Sequence, residues 1–580
     1  MESQMINRVL LIQPFSVVGA YNLEQVMLKG QNTEAPLGLG YISSFLKQSM
    51  PEIDVEVFDA DAIASEHITR AGIVNMDDLW GIIRKKIKDF KPDAVGVSCL
   101  FHSSAPTAHK TIDECKKVIP DCVTVIGGNY PSASPKDALK NPNLSYVIFS
   151  EGDSSFTQLI RSLNNAEEPL NNVDGIAYYD GEGNYKERSK EKMIDRIEDI
   201  PFPDRSNFHM DLYAVGRAPI RRMRGREGVR IGTLTASRGC PFLCTFCSSK
   251  DFWGQTLRYR EPAMVVQEMR EMRDNYGINC FVFNDDNILS VPREIIALTK
   301  AIKDANLGIT WASGGGMQVS ALSPKVIEAL YESGCNYFNL AIESGNAATL
   351  KRIKKPLKDK DASAKVIETI RAAGDGWICS NFITGFPFET QEDIVENLDY
   401  CQSLDLDWKC IFKFQPFPGT ADYETCVEKG YLKPFELWRE GGWGDMLTLN
   451  TENFDSDWVD NTNYFVNLKT NFVNNINLYS KPEQAIRDFD YIIEIVPDQA
   501  FAYYGRGEAY NNMGNIDAAL QNFKIAASLA ENSKTLEVNC IKSASAILYA
   551  KIKWFEHFET FDIDLEQKIK GISSASLEVS

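Results

Sequence analysis

The feature that most constrains the fold of this chain is a strand–helix alternation that occurs twice, on either side of a polar segment. In the first round, five short apolar runs alternate with helical patterns. Continuous apolar strands separated by helices are typical of a parallel sheet covered on both faces. We therefore expect an N-terminal doubly wound, Rossmann-like parallel sheet. Its predicted strands are Arg8–Gln13, Asp54–Asp59, Ala94–Cys99, Thr124–Gly127 and Tyr146–Phe149.

The carboxyl ends of these predicted strands carry polar and small residues. Ser98, His102, Gly127 and Gly128 all follow or end a strand. Ligands of doubly wound sheets bind beyond the carboxyl ends of the strands, and glycine lets a ligand approach the backbone closely. Tight strand–helix turns without a ligand need the same residues. The pattern alone leaves both interpretations open.

The second round begins near residue 232 and contains six strand–helix units. Six such units in a row predict a partial (β/α)6 barrel of the TIM type, whose site lies at the carboxyl ends of the strands. The predicted strands are Gly232–Ala236, Cys280–Asn284, Ile309–Ala312, Tyr337–Ile342, Ile378–Thr384 and Ile411–Gln415. The intervening helices are predicted at Ala263–Tyr276, Pro292–Ala305, Pro324–Glu332, Ala362–Ala373 and Gln391–Ser403.

Two further regions complete the predicted organisation. A dense basic run, RAPIRRMRGREGVR, precedes the barrel and indicates either a holder for an anionic cofactor or substrate tail, or a solvated linker. After the barrel the chain is helical, and Ala485 and Phe489 recur as Ala519 and Phe523 at an offset of 34. That period resembles the tetratricopeptide repeat, in one full unit and a preceding half unit. We expect domains at 1–185, 186–230, 231–450 and 451–580.

Charge and composition exclude several classes of protein. The net charge of −19 disfavours a nucleic-acid partner, because phosphates bind basic surfaces. The sequence contains no run of about 18 apolar residues, so we expect no membrane-spanning helix. Thirteen cysteines without a secretion signal indicate a reducing, cytoplasmic location. In that setting spaced cysteines serve metal or redox chemistry more often than disulfides.

The sharpest motif is a C-x3-C-x2-C segment just after the first predicted barrel strand. Cys240, Cys244 and Cys247 can hold three irons of a [4Fe–4S] cluster, which leaves the fourth iron open for a ligand. The alternative is structural zinc. Zinc requires four ligands in a closed site, and neither a histidine nor a fourth cysteine lies close in sequence. The spacing therefore favours the cluster.

With this motif and the segments that follow it, residues 232–425 resemble the radical S-adenosylmethionine (SAM) superfamily. The other matching segments are YREP at 259–262, FNDDN at 283–287, AIESGN at 341–346, ITGFPFET at 383–390 and FQPFPGT at 414–420. The resemblance implies that Phe246 flanks the adenine of SAM, that Glu343 and Ser344 lie at its ribose, and that Gly385 contacts the adenine edge. Asp285 or Asp286 accepts hydrogen bonds from the cationic amino group of SAM. Alternatively, Asp286 caps a helix and Glu343 pairs with an arginine such as Arg260.

The N-terminal region resembles the cobalamin-binding domain that precedes many radical SAM barrels. The matching segments are APLGLGYISSFLK at 35–47, DAVGVSCLF at 93–101, VIGGNYPSASP at 125–135 and FSEGDSSFTQL at 149–159. The resemblance implies cobalamin at Ser98, Gly127 and Gly128, with His102 near the cobalt. The cobalt-ligating D-x-H-x-x-G motif of that domain is absent from the sequence. Cobalamin binding without a histidine ligand stays open.

These resemblances imply an enzyme that cleaves SAM to a 5′-deoxyadenosyl radical and uses it on an unactivated bond of a small-molecule substrate. We expect methylation of an unactivated carbon or phosphorus, aided by cobalamin and by an external electron donor of the flavodoxin or ferredoxin type. Oxidative cyclisation or rearrangement without methyl transfer is the alternative. An RNA methylthiotransferase, with Cys99, Cys115 and Cys122 as a second cysteine set, and a helical-repeat adaptor that binds a protein partner are weaker hypotheses.

Overall fold

The structure is a computed structural model. It describes residues 5–15, 34–71, 76–165, 167–214, 220, 222, 227–357, 361–432, 439 and 447–532. Two parallel sheets and a C-terminal set of helices make up the described residues. This arrangement confirms the predicted fold class. Among the described residues no helix has the length and apolarity needed to cross a lipid bilayer.

The N-terminal sheet contains seven strands in the order β2-β1-β3-β4-β5-β6-β7. The first five strands are parallel, and the last two form an antiparallel hairpin that extends the same sheet. The residues Val9 to Ile12 in the middle of β1 are fully buried because helices cover both faces. The strands are β1 (Arg8–Gln13), β2 (Asp54–Asp59), β3 (Ala94–Ser98), β4 (Val123–Gly127), β5 (Tyr146–Ile148), β6 (Ile176–Tyr179) and β7 (Tyr185–Arg188).

Five helices of 12 to 15 residues cover this sheet, and short helices follow β4. The sequence predicts three of the five, at Leu37–Lys47, Leu79–Phe90 and Ala105–Val118, and these helices and all five parallel strands lie within a few residues of the predicted bounds. The helices Ala60–Ala71 and Gly152–Asn164 were not named among the predictions. The helices are Leu37–Ser49, Ala60–Ala71, Met76–Phe90, Ala105–Val118, Asn129–Ala133, Pro135–Ala138, Gly152–Asn164 and Met210–Ala214.

The second sheet has six parallel strands in the order β15-β14-β13-β12-β11-β8. Its first and last strands do not pair among the described residues, so the sheet is an open, partial barrel. A two-residue ladder, β9 with β10, stands beside it. The strands are β8 (Ile231–Leu234), β9 (Ser237–Arg238), β10 (Arg258–Tyr259), β11 (Cys280–Phe283), β12 (Thr310–Ser313), β13 (Cys335–Glu343), β14 (Trp377–Thr384) and β15 (Trp408–Lys413).

The barrel helices confirm the predicted alternation. Three of them begin with a proline, whose fixed φ suits the first helical turn. The last strand starts at Trp408, three residues before the predicted Ile411, because Trp408 is buried beneath the sheet. The helices are Ser249–Trp253, Pro262–Tyr276, Pro292–Ala305, Pro324–Glu332, Ala347–Arg352, Asp361–Ala373, Gln391–Ser403 and Ala421–Glu428.

C-terminal helices cover the edge strand β15. The Asn471 side chain donates to the Lys409 carbonyl and accepts from its N–H, at 2.8 and 2.9 Å. This amide therefore occupies the place of a neighbouring strand and satisfies an edge that water or another chain would otherwise meet. The elements are the helix Ser456–Leu468, the π-helical turn Lys469–Val473, and the helices Asn477–Ser480, Pro482–Ile495, Ala500–Asn512 and Ile516–Asn532.

The last three of these helices pack against one another, and the phenylalanines that recur at an offset of 34 take part in the contacts. The helices that begin at Pro482 and Ile516 both contact the helix Ala500–Asn512. A Cβ on Gly505 would meet the Phe489 ring at 2.4 Å, and one on Gly507 would meet the Phe523 ring at 2.6 Å. Each repeated phenylalanine therefore fits against a glycine. The assignment to the tetratricopeptide class stays a prediction, and residues 533–580 lie outside the described part.

The basic run before the barrel does not behave as the sequence suggests where it is described. Arg222 is buried, with its guanidinium 3.7 Å from the centre of the Trp408 ring. Trp408 begins β15, so Arg222 lies at the end of the barrel opposite the carboxyl ends of its strands. The expectation of an anion holder or a solvated linker is wrong for this residue. Residues 217–219, 221 and 223–226 of the run lie outside the described part.

Candidate active site between the two sheets

A cavity of about 670 Å³ lies between the N-terminal sheet and the partial barrel. The carboxyl ends of β1, β2, β3 and β4 contribute Gln13, Asp59, Ser98 and Gly127. The opposite wall contains Ser237 and residues 284–286, which follow β8 and β11. Both sheets therefore present their ligand-binding edges to one space. Its volume is within the roughly 300–1,000 Å³ that is usual for ligand sites.

The three cysteines lie in a loop that starts at the end of β9. Gly239, just before Cys240, has φ +102, and a Cβ there would meet the Thr256 carbonyl oxygen at 2.3 Å. Only glycine fits this turn. Further along, the Thr245 N–H donates to the Ile353 carbonyl at 3.2 Å, and the Thr245 hydroxyl donates to Asp422 at 2.6 Å. The loop is thus held from three sides, with the cysteines partly exposed.

The sulfur atoms have polar neighbours. Asn287 Nδ2 donates to Cys240 Sγ at 3.5 Å, and Cys247 Sγ donates to Ser249 Oγ at 3.4 Å. Burial raises the pKa of Cys244 to about 11 and also raises the pKa of Cys247. The thiols of Cys244 and Cys247 therefore hold their protons at neutral pH, and iron must displace those protons to bind. The described residues contain no group of three or more His, Cys, Asp or Glu arranged for a single metal ion, so the zinc alternative gains no support.

The acidic pair after β11 divides into two roles. Asp285 is buried, and its carboxylate accepts from the N–H groups of Ala236 and Ser237 and from the Ser237 hydroxyl. Burial raises its pKa to about 7. Asp285 therefore fixes the chain just before the cysteine loop, and its oxygens are already bonded. Asp285 also lines the cavity, so a contact with the SAM amino group stays a prediction for either aspartate.

Asp286 is exposed to the cavity and has one described partner. Ser249 Oγ donates to it at 2.6 Å, and the same Ser249 accepts from Cys247. The surrounding protein raises the pKa of the Asp286 carboxyl by desolvation. A chain of contacts therefore runs from the cysteine loop to a carboxylate that faces open space. Of the two aspartates, Asp286 is the exposed one and Asp285 the buried one.

Glu343 ends β13 in a backbone conformation that is rare for a residue with a side chain, with φ +68. Its Oε1 lies 2.9 Å from Lys355 Nζ, and both side chains are almost completely buried. Glu343 is the main charged partner that raises the pKa of Lys355, and Cys244 adds to the effect. The pair therefore lies beside the cysteine loop. Strained backbone of this kind persists where the surroundings hold it in place, often at functional sites.

Ser344 is fully buried, and its Oγ accepts from the Asn346 N–H at 3.1 Å. It therefore shapes the turn after β13 rather than presenting a hydroxyl to a ligand. This corrects the expectation that it contacts SAM directly. Phe246 packs edge-on against Phe386, with ring centres 5.7 Å apart.

The segment after β14 is organised by a buried acid. Glu389 accepts from the N–H groups of Gly385 and Phe386 at 2.8 and 3.0 Å, and from the Thr349 hydroxyl. Burial raises the pKa of Glu389 to about 8. The Gly385 N–H is therefore occupied, although its φ of +80 confirms that the turn needs glycine. A ligand that reaches this turn must use its carbonyl groups.

The N-terminal wall brings together three of the four predicted residues. Ser98, Gly127 and Gly128 line the cavity. Gly128 has φ +123, and a Cβ there would meet the Cys99 carbonyl oxygen at 2.3 Å, whereas one on Gly127 would meet only the Ile148 oxygen at 3.7 Å. Gly128 is thus required by the backbone itself. Gly127 leaves space that a bulky ligand can use.

His102 lies outside the lining of the cavity. Its ring is buried against Tyr130 and Phe417, with centroid distances of 5.8 and 6.2 Å. Burial lowers its pKa to about 4, so the ring is neutral near pH 7. The expectation that it lies near the cobalt stays a prediction, with the ring itself outside the lining of the cavity. The neighbouring Leu100 and Phe101 line the cavity instead.

Buried ion pairs join the two walls. Arg238, two residues before Cys240, lies 2.8 Å from Asp153, and Arg258 donates to Glu151 at 3.1 Å. Asn129 Nδ2 donates to Ser248 Oγ at 2.7 Å across the same interface. Removing one partner of a buried pair costs about 3–5 kcal/mol, because the other charge is left uncompensated. These contacts fix the cysteine loop relative to the N-terminal sheet.

Two observations test whether the site fits its implied cofactors. The cysteine loop offers three sulfurs, and Asn287 Oδ1 beside it is buried without a described hydrogen-bond partner. On the opposite wall the free space around Gly127 and Gly38, where an added Cβ meets nothing closer than 3.7 Å, forms an open cradle. The first fits an iron–sulfur cluster, and the second fits a large, flat ligand.

Comparison with known proteins identifies both walls. Residues 234–401 match the Radical SAM superfamily, and residues 25–160 match the B12 binding domain. The protein is a radical SAM enzyme that also carries a B12 binding domain. Its cofactors are a [4Fe–4S] cluster, SAM and cobalamin.

Among its relatives is the cytidylyl-2-hydroxyethylphosphonate methyltransferase of Streptomyces wedmorensis, 29% identical over 469 residues, or 75% of this chain and 84% of that protein. The anaerobic magnesium-protoporphyrin IX monomethyl ester cyclase of Synechocystis is 26% identical over 341 residues, or 57% and 64%. The solved structure of the cobalamin-dependent SAM radical enzyme OxsB, with aqua-cobalamin and SAM bound, superimposes with a TM-score of 0.61 at 15% identity. It covers 99% of this chain and 84% of OxsB. That likeness supports the fold.

Sequence reasoning missed several residues of the site. Lys355 lies twelve residues after Glu343, beyond the AIESGN segment, and only the fold brings the two together. Asn287 was inside a quoted segment but carried no assigned role. The signal for Lys355 was present as a basic run after β13, KRIKKPLKDK, of which the sequence resemblance includes Lys354 but not Lys355.

Proposed function

We propose that this enzyme methylates an unactivated carbon or phosphorus of a small-molecule substrate. The observation that carries this proposal is a cavity lined by the ligand edges of both domains, with Arg238 and Ser248, on either side of the cysteine motif, in its lining. When bound, the cluster supplies the electron that splits SAM, and cobalamin carries the methyl group. A shared cavity lets both reagents reach one substrate without diffusion of a reactive species into water.

The chain's own residues have separable roles in this proposal. Cys240, Cys244 and Cys247 hold the cluster. Lys355 is placed to receive the carboxylate of SAM, and Asp286 to receive its ammonium group, since each presents the opposite charge beside the cysteine loop.

The remaining contacts concern the two large ligands. Glu343 accepts from the ribose hydroxyls, and Phe246 covers the adenine. The carbonyl side of the turn at Gly385 also lies at the adenine. Ser98, Gly127 and Gly128 hold cobalamin at the opposite wall, where each lines the cavity.

Methyl transfer is favoured over cyclisation by the extent of the likeness. The methyltransferase relative covers 75% of this chain, and the cyclase relative covers 57%. Both reactions use the same motifs, so oxidative cyclisation or rearrangement remains the second candidate. The identity of the substrate does not transfer from a relative at 29% identity.

The methylthiotransferase hypothesis loses its second cysteine set. Cys99, Cys115 and Cys122 are buried, and burial raises the pKa of Cys122 to about 12 and those of the other two further. Buried thiols of this kind are inert, whereas Cys240, Cys244 and Cys247 are partly exposed. The C-terminal helices cover β15, which gives them a role within the enzyme. A repeat of the tetratricopeptide type that also binds a protein partner stays part of the proposal, as do the domain boundaries at 185, 230 and 450.

The experiment is product analysis after anaerobic reconstitution with iron, sulfide and hydroxocobalamin. SAM with a deuterated methyl group, a reductant and candidate metabolites are added, and 5′-deoxyadenosine and S-adenosylhomocysteine are quantified by mass spectrometry. We expect both products and a deuterated methyl group in the substrate. Formation of 5′-deoxyadenosine alone, with no label in the product, contradicts methyl transfer and supports cyclisation or rearrangement. Cys247→Ala is the control and forms no 5′-deoxyadenosine.

A further inference from the structure

A cationic surface lies beside the cysteine loop in an otherwise acidic protein. The run KRIKKPLKDK at 351–360 has six basic residues in a chain with a net charge of −19. Lys351, Arg352 and Lys354 are exposed, whereas Lys355 turns inward to Glu343. Residues 358–360 lie outside the described part. We call Lys351, Arg352 and Lys354 the basic surface.

The basic surface lies directly beside the cysteine loop. The Ile353 carbonyl, between Arg352 and Lys354, accepts from the Thr245 N–H at 3.2 Å, and Thr245 directly follows Cys244. Leu243, on the other side of Cys244, is 44% exposed. An apolar residue of the cysteine loop is therefore exposed close to a cationic segment. Protein interfaces commonly have this composition, with an apolar centre and a polar rim.

The charges of the basic surface are not neutralised by the residues around them. Among the described residues no ion pair is formed by Lys351, Arg352 or Lys354. Arg352 lies 4.2 Å from the centre of the Phe388 ring, a contact that leaves its charge in place. Burial raises the pKa of Asp422, and the charge of Arg352 opposes that rise, but the Asp422 carboxyl is buried and already accepts from the Thr245 hydroxyl. The positive charges therefore face solvent.

We propose that the basic surface is the docking site of a small acidic one-electron carrier protein that reduces the cluster. The proposal rests on the radical SAM chemistry, since each SAM cleavage consumes one electron. The carrier loses one electron, the cluster gains it, and no bond forms or breaks in this step. Electron transfer requires a short path, and the basic surface flanks the loop that holds the cluster. Opposite charges also raise the rate of encounter and orient the partners.

The test compares two reductants on the reconstituted full-length enzyme. In the variant Lys351→Glu/Arg352→Glu/Lys354→Glu, 5′-deoxyadenosine formation is measured with reduced flavodoxin, an acidic carrier, and with dithionite, which needs no docking. We expect the rate with flavodoxin at low salt to fall by about tenfold or more, and the rate with dithionite to stay unchanged. A matched variant, Lys88→Glu/Lys91→Glu/Lys524→Glu, changes the net charge equally through exposed lysines elsewhere and keeps both rates.

The outcomes separate the docking site from the chemistry. Equal loss with both reductants shows that the segment is needed for the active site itself and overturns the proposal. An unchanged rate with flavodoxin places docking elsewhere and also overturns it. If the wild-type enzyme cleaves no SAM even with dithionite, the proposed function fails, and titration calorimetry of flavodoxin against both variants still decides the docking site. In that calorimetry, weaker flavodoxin binding by the variant at residues 351–354, with unchanged binding by the matched variant, supports the docking site.

Discussion

Lys355 is a buried cation whose closest charged partner is Glu343, and its field reaches the cysteine loop. We expect Lys355→Met to weaken SAM binding at least about tenfold, since a hydrogen bond to a charged group contributes about 1.5–3 kcal/mol. Equilibrium dialysis with radiolabelled SAM on the reconstituted enzyme measures this. Lys351→Met, an exposed neighbour, is the control and keeps the wild-type affinity. Unchanged SAM affinity in Lys355→Met would remove this residue from the site.

Substitutions at the adjacent residues Gly127 and Gly128 are expected to affect the fold in opposite ways. Gly127→Leu adds a side chain where the nearest atom to a Cβ is 3.7 Å away, so the fold tolerates it while the cavity narrows. We expect this variant to retain iron and lose corrinoid absorbance after incubation with hydroxocobalamin. Gly181→Leu, in open space at the hairpin turn, is the control and binds like wild type. Equal corrinoid content in both variants would place cobalamin elsewhere.

Substitution of Gly128 is not a clean test of cobalamin binding. Any side chain at that φ clashes with the Cys99 backbone, so a loss of cobalamin would report damage to the sheet.

The residues predicted from sequence fall into two groups for a physical reason. The cysteines, Asp286 and Gly127 carry their signal in local spacing. The structure places the cysteines in one partly exposed loop and Asp286 and Gly127 in the lining of the cavity, and their ligand contacts stay predictions. Asp285, Ser344 and His102 have similar local signals, but tertiary contacts bury all three. Polar atoms of Asp285 and Ser344 accept hydrogen bonds from neighbouring residues, and the His102 ring packs outside the lining of the cavity. Local spacing does not encode which neighbouring side chain a fold turns inward.

At the scale of elements, the edge strand β15 depends on one amide. We expect Asn471→Ala to lower the free energy of unfolding by about 1–3 kcal/mol, because the Lys409 N–H and carbonyl lose buried partners. Asn461→Ala in the preceding helix is the control, because the half-buried Asn461 donates to the Asp457 carbonyl within its own helix. Urea unfolding followed by circular dichroism compares them. Equal midpoints would contradict the role of Asn471.

The same region decides what the C-terminal helices do. Asn453 Nδ2 donates to the Glu389 carbonyl, and Asn463 bonds to Thr384 at the end of β14. We therefore expect a truncation after residue 453 to lose SAM cleavage as well as stability. Assay of 5′-deoxyadenosine on any folded truncated protein checks this. Full SAM cleavage by the truncated protein would contradict a role of these helices in the active site and would favour a role in binding a partner.

Most strand and helix bounds were predictable because apolar periodicity is a local property. The errors have tertiary causes. β15 starts three residues early because Trp408 is buried against Arg222, and the N-terminal sheet is longer than predicted because the hairpin β6–β7 joins it. Neither contact leaves a trace in the periodicity of the segment itself.

At the scale of the whole molecule, several buried acids make stability depend on pH. Burial raises the pKa of Asp285 and Asp488 to about 7 and that of Glu389 to about 8. The folded protein therefore keeps these protons at a pH where the unfolded chain, with carboxyl pKa values near about 4, has lost them. Their stabilising effect is complete below about pH 4 and is lost as the pH rises through 7 and 8.

We accordingly expect the melting temperature to fall between pH 7 and pH 8.5. The melting temperature of Glu389→Gln, whose amide oxygen can still accept from Gly385 and Phe386, should fall less over the same pH range. Scanning fluorimetry at several pH values measures both proteins. A wild-type melting temperature that is flat or rises over this interval contradicts the burial of these carboxyl groups in the folded state.

The central claim is that the cobalt and the iron–sulfur cluster open onto one cavity between the two sheets. Anomalous diffraction at the cobalt and iron absorption edges, from crystals grown anaerobically with hydroxocobalamin and SAM, tests it most directly. We predict one cobalt position against Ser98 and Gly127, and one iron cluster bound by Cys240, Cys244 and Cys247, both facing the same space. A cobalt signal elsewhere, or none at full iron occupancy, would contradict the account.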